Sequence, residues 1–252
     1  MKPFLLIATR AEDAAADGEH AAFLAAGGLE PSDLIRVRLE QGSLPDIDFA
    51  DFSGIIVGGS PFTSSDDEAS KSRVQVRAES ELTKLVDKVI AHDFPFLGAC
   101  YGIGLVGSRL GGIVDKTYGE PVGQVSVDIS PAGDADPLFA QIDSPFEAFV
   151  GHKEACSRLP DGAVLLASSD RCPVQAFRLG NNVYATQFHP ELDVEGVITR
   201  IRAYRDYGYF DPDEMEALIE RVSSASITQP HRIIAAFVAR YSTVTAPATS
   251  DR

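Results

Sequence analysis

The chain has 252 residues, 44% of them hydrophobic, and carries 22 basic against 37 acidic side chains for a formal charge of -15. This length and apolar content suit one globular domain, or one domain with a small appendage. The acidic balance repels phosphate backbones and argues against nucleic acid as a partner, and no window offers the ~20 unbroken apolar residues of a membrane span.

Short apolar runs alternate with helical stretches, the pattern of βαβ units around a parallel sheet. Residues 4–8 read as the first strand; acidic residues from Glu12 follow at once, which argues against a signal peptide. Residues 14–26 have helical composition and stop at Gly27-Gly28. Residues 34–39 alternate at the strand period, and 55–57 form a third strand. Phe62-Thr-Ser-Ser-Asp-Asp-Glu68 is polar and turn-rich, a flap over a site. Residues 72–91 predict an amphipathic helix with Val76, Leu82, Leu85, Val86 and Val89 on one face. The apolar run Phe94-Pro-Phe-Leu97 precedes a helix over 103–110. Strands at 122–129, 146–150, 164–167, 174–179 and 183–188 then suit antiparallel additions to a parallel core. A helix over 193–207, capped by Asp193 and broken by Gly208, is followed by helices over 212–222 and 232–241, and 243–252 reads as a frayed end. Tyr204, Tyr207, Tyr209 and Phe210 read as local packing; a subunit interface, and hence a homodimer, is the second reading.

Two motifs carry chemistry. Gly98-Ala-Cys-Tyr-Gly-Ile-Gly104 places a cysteine between small residues where a strand turns into a helix, the cysteine counterpart of the G-x-S-x-G elbow. The helix N-terminus favours a thiolate at Cys100, and the Tyr101 amide is placed to face an oxyanion. Gln187-Phe-His-Pro-Glu191 supplies His189 as a base and Glu191 as its orienting acid. Gly58-Gly59, after the strand at 55–57, is placed to supply the second oxyanion donor, from Gly59. A competing reading takes Gly102-Ile-Gly-Leu-Val-Gly107 as a dinucleotide fingerprint with Glu120 as the ribose acid. It is set aside because it lies mid-chain and leaves Cys100 and His189 unexplained. Three cysteines without framework spacing argue against a secreted disulfide scaffold and suit a reducing cytoplasm; Cys172 reads as packing, and Cys156 has no partner at metal spacing. The five histidines show no H-x-x-x-H pair, so no metal and no cofactor are expected.

These motifs, with Gly54-Ile-Ile-Val-Gly-Gly-Ser-Pro61, Arg109-Leu-Gly-Gly112, Val150-Gly-His-Lys-Glu154 and Ser168-Ser-Asp-Arg-Cys-Pro-Val-Gln-Ala-Phe177, resemble the class I glutamine amidotransferases, and within them the amidotransferase domain of GMP synthases. The resemblance implies a flavodoxin-like α/β three-layer sandwich with a central, mostly parallel mixed sheet, over residues 1–192, and a C-terminal helical extension over 193–252 packed on the same domain. It implies Cys100 as nucleophile, His189 as general base then acid, and Glu191 as orienter. It also brings Gly58, Gly104 and His152 near the bound amino acid, a surface turn being the other reading of His152. One departure stands out: the family elbow continues Cys-x-Gly-x-Gln, and here that glutamine is Gly104. The lost hydrogen bond is worth about 1 kcal/mol, and the space at Gly104 suits a larger γ-glutamyl compound, water or another side chain. About 60 residues follow Glu191, fewer than a nucleotide-activating synthase domain needs. The implied activity is glutaminase-type release of ammonia to a separate synthase subunit, with a stand-alone γ-glutamyl amine or peptide hydrolase and a non-catalytic binding protein as alternatives.

Overall fold

The computed structural model describes residues 1–242; the frayed end expected at 243–252 lies outside them. In chain order the elements are β1 (Phe4–Ala8), α1 (Asp13–Gly27), β2 (Leu34–Arg38), β3 (Gly54–Val57), α2 (Arg73–His92), β4 (Phe96–Ala99), α3 (Tyr101–Gly107), β5 (Ile113–Asp115), β6 (Glu120–Ile129), α4 (Pro131–Asp134), β7 (Phe146–His152), β8 (Ala155–Arg158), β9 (Val164–Ser168), β10 (Ala176–Leu179), β11 (Val183–Thr186), α5 (Val194–Ala203), α6 (Met215–Ser223) and α7 (His231–Tyr241). Nine strands form one sheet in the order β2-β1-β3-β4-β11-β10-β9-β6-β7. The first five are parallel and the remaining pairings antiparallel. This is the mixed, mostly parallel α/β sandwich expected, with the 2-1-3-4-5 spatial order of flavodoxin-like sheets across its parallel half.

The layers follow from strand periodicity. Along β1, Phe4 and Leu6 join one core with Phe23 of α1 and Ile233, Ile234 and Phe237 of α7, while Leu5 and Ile7 join the other with Leu82, Leu85, Val86 and Val89 of α2. A third cluster at the antiparallel side packs Phe149 against Val197 and Ile201 of α5 and Leu218 and Val222 of α6.

Several boundaries differ from expectation for physical reasons. Val76 is 37% exposed and off the apolar face of α2, whose buried stripe runs through Ala78, Leu82, Leu85, Val86 and Val89. That helix starts with Ser72 Oγ accepting from the Gln75 amide and ends at Asp93, a non-glycine residue with φ 46°. The strain there is held by the Asp93 carboxylate, which accepts the backbone amides of Asn181 and Asn182. The helix expected over 193–207 ends at Ala203, where Tyr204 turns to accept a hydrogen bond from Arg10 and to pack its ring against Tyr207. The small β5–β8 ribbon was not expected; strands of three and four residues are too short to show a period.

The C-terminal helix is tied to the sheet through Phe237, fully buried with its ring 5.8 Å from that of Phe4. Phe237→Ala is expected to cost about 3–5 kcal/mol of stability, read as a lowered denaturation midpoint. A loss below about 1 kcal/mol would show that α7 is not part of the cooperative core.

Candidate active site

Cys100 sits between β4 and α3 with φ 52° and ψ -85°, outside both strand and helix regions. A non-glycine residue held there costs about 1–3 kcal/mol of backbone strain. The turn is sharp enough that a Cβ on Gly98 would lie 2.8 Å from the Gly102 Cα, so position 98 demands glycine. The Cys100 amide donates to Thr186 O at 2.7 Å, which ties the end of β4 to the end of β11. Helix α3 starts immediately at Tyr101, two residues earlier than expected. The Tyr101 amide therefore occupies the first helical position, where no intrahelical acceptor exists.

β11 runs parallel to β4 with Thr186 opposite Ala99, and the chain beyond it is held as the His189 amide donates to Phe149 O at 2.9 Å. His189 Nδ1 lies 2.9 Å from Glu191 Oε1. Arg200 of α5 enters the same spot: its Nη1 is 2.8 Å from His189 Nδ1, and its Nη2 donates to Glu191 Oε1 at 2.8 Å and to Glu19 Oε1 at 3.2 Å. Arg10 Nε donates to that Glu19 oxygen at 2.9 Å, as does the Gly59 amide at 3.1 Å. The two neighbours of Nδ1 demand opposite tautomers: Glu191 needs a proton on it, and Arg200 needs its lone pair.

Gly58 and Gly59 are required by close approach. A Cβ on Gly58 would come within 2.4 Å of Glu19 Oε2, and one on Gly59 within 2.6 Å of His189 Cε1. The structure thus brings Gly59 against the His189 ring, with its amide engaged by Glu19.

Burial sets the electrostatics. It pushes the Cys100 thiol up to about 12, against the opposing pull of Arg10 and Arg200. This reverses the thiolate expected from the helix N-terminus: α3 is one short helix, and its partial charge does not offset desolvation. Burial also lowers His189, with Arg200 and Arg10 adding to it against Glu191. Burial pushes Glu191 upward, yet His189 and Arg200 outweigh it and hold the carboxyl well below the usual range. The free site is a neutral thiol beside a neutral imidazole and an ionised acid.

Two clefts meet at Cys100, sharing Ser60, Gly151 and Tyr209. One contains Tyr101, Gly104, His152, Glu154 and Gln187 but not His189. The other contains His189, Arg10 and Arg200 but not Tyr101. In the first, Glu154 stands where the absent glutamine side chain would reach: a Cβ on Gly104 would meet Ser64 Oγ at 3.3 Å and Glu154 Oε1 at 3.4 Å. The room expected from Gly104 is therefore already filled. The Glu154 carboxylate is fixed by the flap, accepting from Ser64 N at 2.8 Å, Ser64 Oγ at 2.7 Å and Ser65 N at 2.7 Å. His152 is buried rather than on a surface turn. Its Nδ1 lies 2.9 Å from Glu154 O and its Nε2 3.0 Å from Glu120 Oε2, so it anchors the turn that presents Glu154.

Among the described residues, Glu120, His152 and Cys172 bring potential metal-ligand atoms within 4.8 Å of one another. Both ring nitrogens of His152 already have partners, and Cys172 Sγ donates to Val174 O at 3.5 Å. Cys156 and Cys172 are buried free thiols, as the packing role of Cys172 requires. The reading from sequence missed Arg10, Glu19, Glu154 and Arg200. It also took the tyrosine cluster as local packing or a subunit interface, whereas Tyr204, Tyr209 and Phe210 line the cleft on the His189 side.

Comparison with known proteins agrees with this geometry. The family model for Glutamine amidotransferase class-I matches residues 33–196. The chain is 29% identical over 115 residues to the glutamine-hydrolyzing GMP synthase of Thermosipho africanus, covering 45% of this chain but 22% of that protein. It is 29% identical over 164 residues to one subunit of the glutamine-hydrolyzing GMP synthase of Methanobrevibacter smithii, covering 64% of this chain and 74% of that one. A putative glutamine amidotransferase-like protein, YfeJ of Salmonella typhimurium, is 30% identical over 162 residues, covering 64% and 65% of the two chains. Among solved structures, a glutamine amidotransferase from Thermotoga maritima superposes with a TM-score of 0.76 at 18% identity, covering 96% of this chain and 98% of that one, a likeness of fold.

The buried thiol makes a measurable statement. With its pKa near 12, alkylation of Cys100 at pH 8 is expected to run about three orders of magnitude slower than for a free cysteine of pKa ≈ 8.5. The rate should rise about tenfold per pH unit between pH 7 and 10, since the thiolate fraction grows tenfold per unit below the pKa. Peptide mass mapping after iodoacetamide reads Cys100 separately from Cys156 and Cys172; a fast rate that levels off near pH 7 contradicts the neutral thiol.

Proposed function

The chain belongs to the class I glutamine amidotransferase family, and on that premise we propose that it hydrolyses the γ-carboxamide of glutamine, or of a γ-glutamyl compound, through a thioester on Cys100. The observation that carries this reading is the placement of the strained Cys100 turn and the His189–Glu191 pair at the carboxyl ends of adjacent parallel strands.

In this mechanism His189 Nε2 takes the thiol proton as sulfur attacks the γ-carbonyl carbon. The oxyanion receives the Tyr101 amide. The Gly59 amide is the second donor once the peptide between Gly58 and Gly59 turns from Glu19. His189 returns the proton to the departing nitrogen, the C–N bond breaks, and ammonia or an amine leaves. His189 then deprotonates water, which attacks the thioester, releasing glutamate and restoring the thiol. Glu191 keeps the proton on Nδ1 and balances the imidazolium that forms in each half-reaction. Arg200 fixes the Glu191 carboxylate but competes for Nδ1, so proton transfer requires its Nη1 to yield that nitrogen to the Nδ1–H tautomer. The amino-acid portion of the substrate lies in the Tyr101 cleft, where Glu154 is a carboxylate suited to its α-ammonium group.

Relatives named as one subunit of a glutamine-hydrolyzing GMP synthase support a separate protein as recipient of the ammonia. The chain spans about a fifth of the full-length GMP synthases it matches, so their synthase activity is not carried over. A reducing cytoplasm, which keeps Cys100 a thiol, completes the reading. Among the described residues, no helix is long and apolar enough to cross a membrane.

Cys100→Ala is expected to abolish release of ammonia from glutamine, and acid quenching of the unaltered protein should trap a glutamyl adduct on Cys100. Glu191→Gln should lower kcat by roughly 10²–10⁴-fold with the fold retained. Full activity in Cys100→Ala would sink the mechanism.

A further inference from the structure

The cleft on the His189 side is larger and more apolar than departing ammonia requires. Its cavity volume is about 40 Å³, room for about three water-sized groups at ~10–15 Å³ each. Ammonia is a single heavy atom. The cleft's apolar surface comes from Val122, Val150, Leu192, Val197, Ile201 and Phe210, with Tyr204 and Tyr209 alongside. Val197, Ile201, Tyr204, Tyr209 and Phe210 lie beyond the stretch 33–196 shared with the family. The Tyr101 side is built almost wholly from the shared stretch, Tyr209 excepted. The His189-side wall therefore combines Val122, Val150 and Leu192 of the matched stretch with side chains of the C-terminal segment.

The charges on that wall are already matched. Arg10 is paired with Glu19, and Arg200 with Glu19 and Glu191, all four side chains being buried. No lining cation is left over for a carboxylate, so a leaving group that is itself an amino acid finds no partner. Lys153, the nearest further cation, belongs to the Tyr101 cleft and is spent on the same segment: its Nζ donates to Tyr207 O at 2.6 Å and lies 4.6 Å from the Tyr209 ring centre. That contact also ties the C-terminal segment to the turn carrying Glu154.

We propose that the His189-side cleft is a leaving-group site for a small, uncharged, apolar amine, so that the preferred substrates are γ-glutamyl amides of short neutral alkylamines. This rests on the reading of Cys100 and His189 as nucleophile and base. The balance is that of glutamine hydrolysis with the nitrogen substituted. Sulfur forms a bond to the γ-carbon, the C–N bond breaks, His189 delivers the thiol proton to the amine nitrogen, and water then cleaves the thioester to glutamate. Each methylene of the amine that enters the cleft is removed from water as the substrate binds and stays buried through C–N cleavage, so it raises kcat/KM by about fourfold.

The test is a substrate series with the full chain: glutamine, then the γ-glutamyl methyl-, ethyl- and n-propylamides, and γ-glutamylglycine and γ-glutamylglutamate as anionic leaving groups, each beside Cys100→Ala. The expected result is kcat/KM rising along the neutral series to at least tenfold above glutamine, with both anionic compounds below their neutral counterparts. Phe210→Ala should reduce the ratio of n-propylamide to glutamine turnover at least fivefold. Cys100-dependent turnover in which glutamine is the best substrate, or an anionic amine the best leaving group, overturns this inference and leaves the hydrolase reading standing. Absence of Cys100-dependent turnover across the whole series overturns both.

Discussion

The site depends on one pairing, that of β4 with β11 as parallel neighbours in register. Cys100 and His189 are 89 positions apart in the chain, and each follows its strand by one to three residues. With Ala99 opposite Thr186 and the Cys100 amide bonded to Thr186 O, both side chains emerge at the same edge of the sheet. A slip of one residue would turn every side chain of the strand to the other face. Register is protected because both strands are buried on both faces, from Phe96 and Leu97 to Tyr184 and Ala185. β3 flanks β4 on its other side and delivers Gly58 and Gly59 to the same edge. Strain at Cys100 persists because the surrounding sheet and the Gly98–Gly102 contact over-determine it.

Behind the histidine lies a buried cluster of two arginines and two glutamates. Burying charges is costly unless each is paired and hydrogen-bonded, and here one oxygen of Glu19 gathers Arg10, Arg200 and the Gly59 amide. The cluster joins the loop after β1, helix α1, helix α5 and the β11 loop, so the orientation of His189 is coupled to the packing of the C-terminal helices. Arg200 has a double effect. It holds Glu191 ionised, and it competes with that carboxylate for Nδ1. The same helix that carries Arg200 also carries Val197 and Ile201 into the cleft. One element therefore positions the His189–Glu191 pair and shapes the cleft beside it.

Legibility in the sequence tracked how local the cause was. The elbow announces itself because close backbone approach demands glycine at a fixed offset from Cys100. His189 and Glu191 lie two residues apart on a short loop and meet without help from the rest of the fold. Arg10, Glu19 and Arg200 gave no such sign. A charged residue on a helix normally marks a solvated face, and only the packing of α1 against α5 turns Glu19 and Arg200 inward. Glu154 was passed over for the same reason, and its importance arises from the flap amides that reach it. Gly104 was legible as a departure, but its consequence was not: the vacated room is filled by Glu154, a residue 50 positions away. Val76 fitted the helical period but faces outward, since period alone does not say how wide the buried stripe is.

The sequence by itself determined the alternation of strand and helix, the parallel half of the sheet, the Cys100 turn and the His189–Glu191 pair, because each is written in short-range spacing and side-chain size. Tertiary structure alone decided the protonation state of Cys100, the arginine pressing on His189, the carboxylate beside Gly104 and the apolar wall of the cleft beside His189. Those depend on burial and on partners far apart in the chain. Desolvation and charge pairing are properties of a packed environment, and no run of neighbouring residues specifies one.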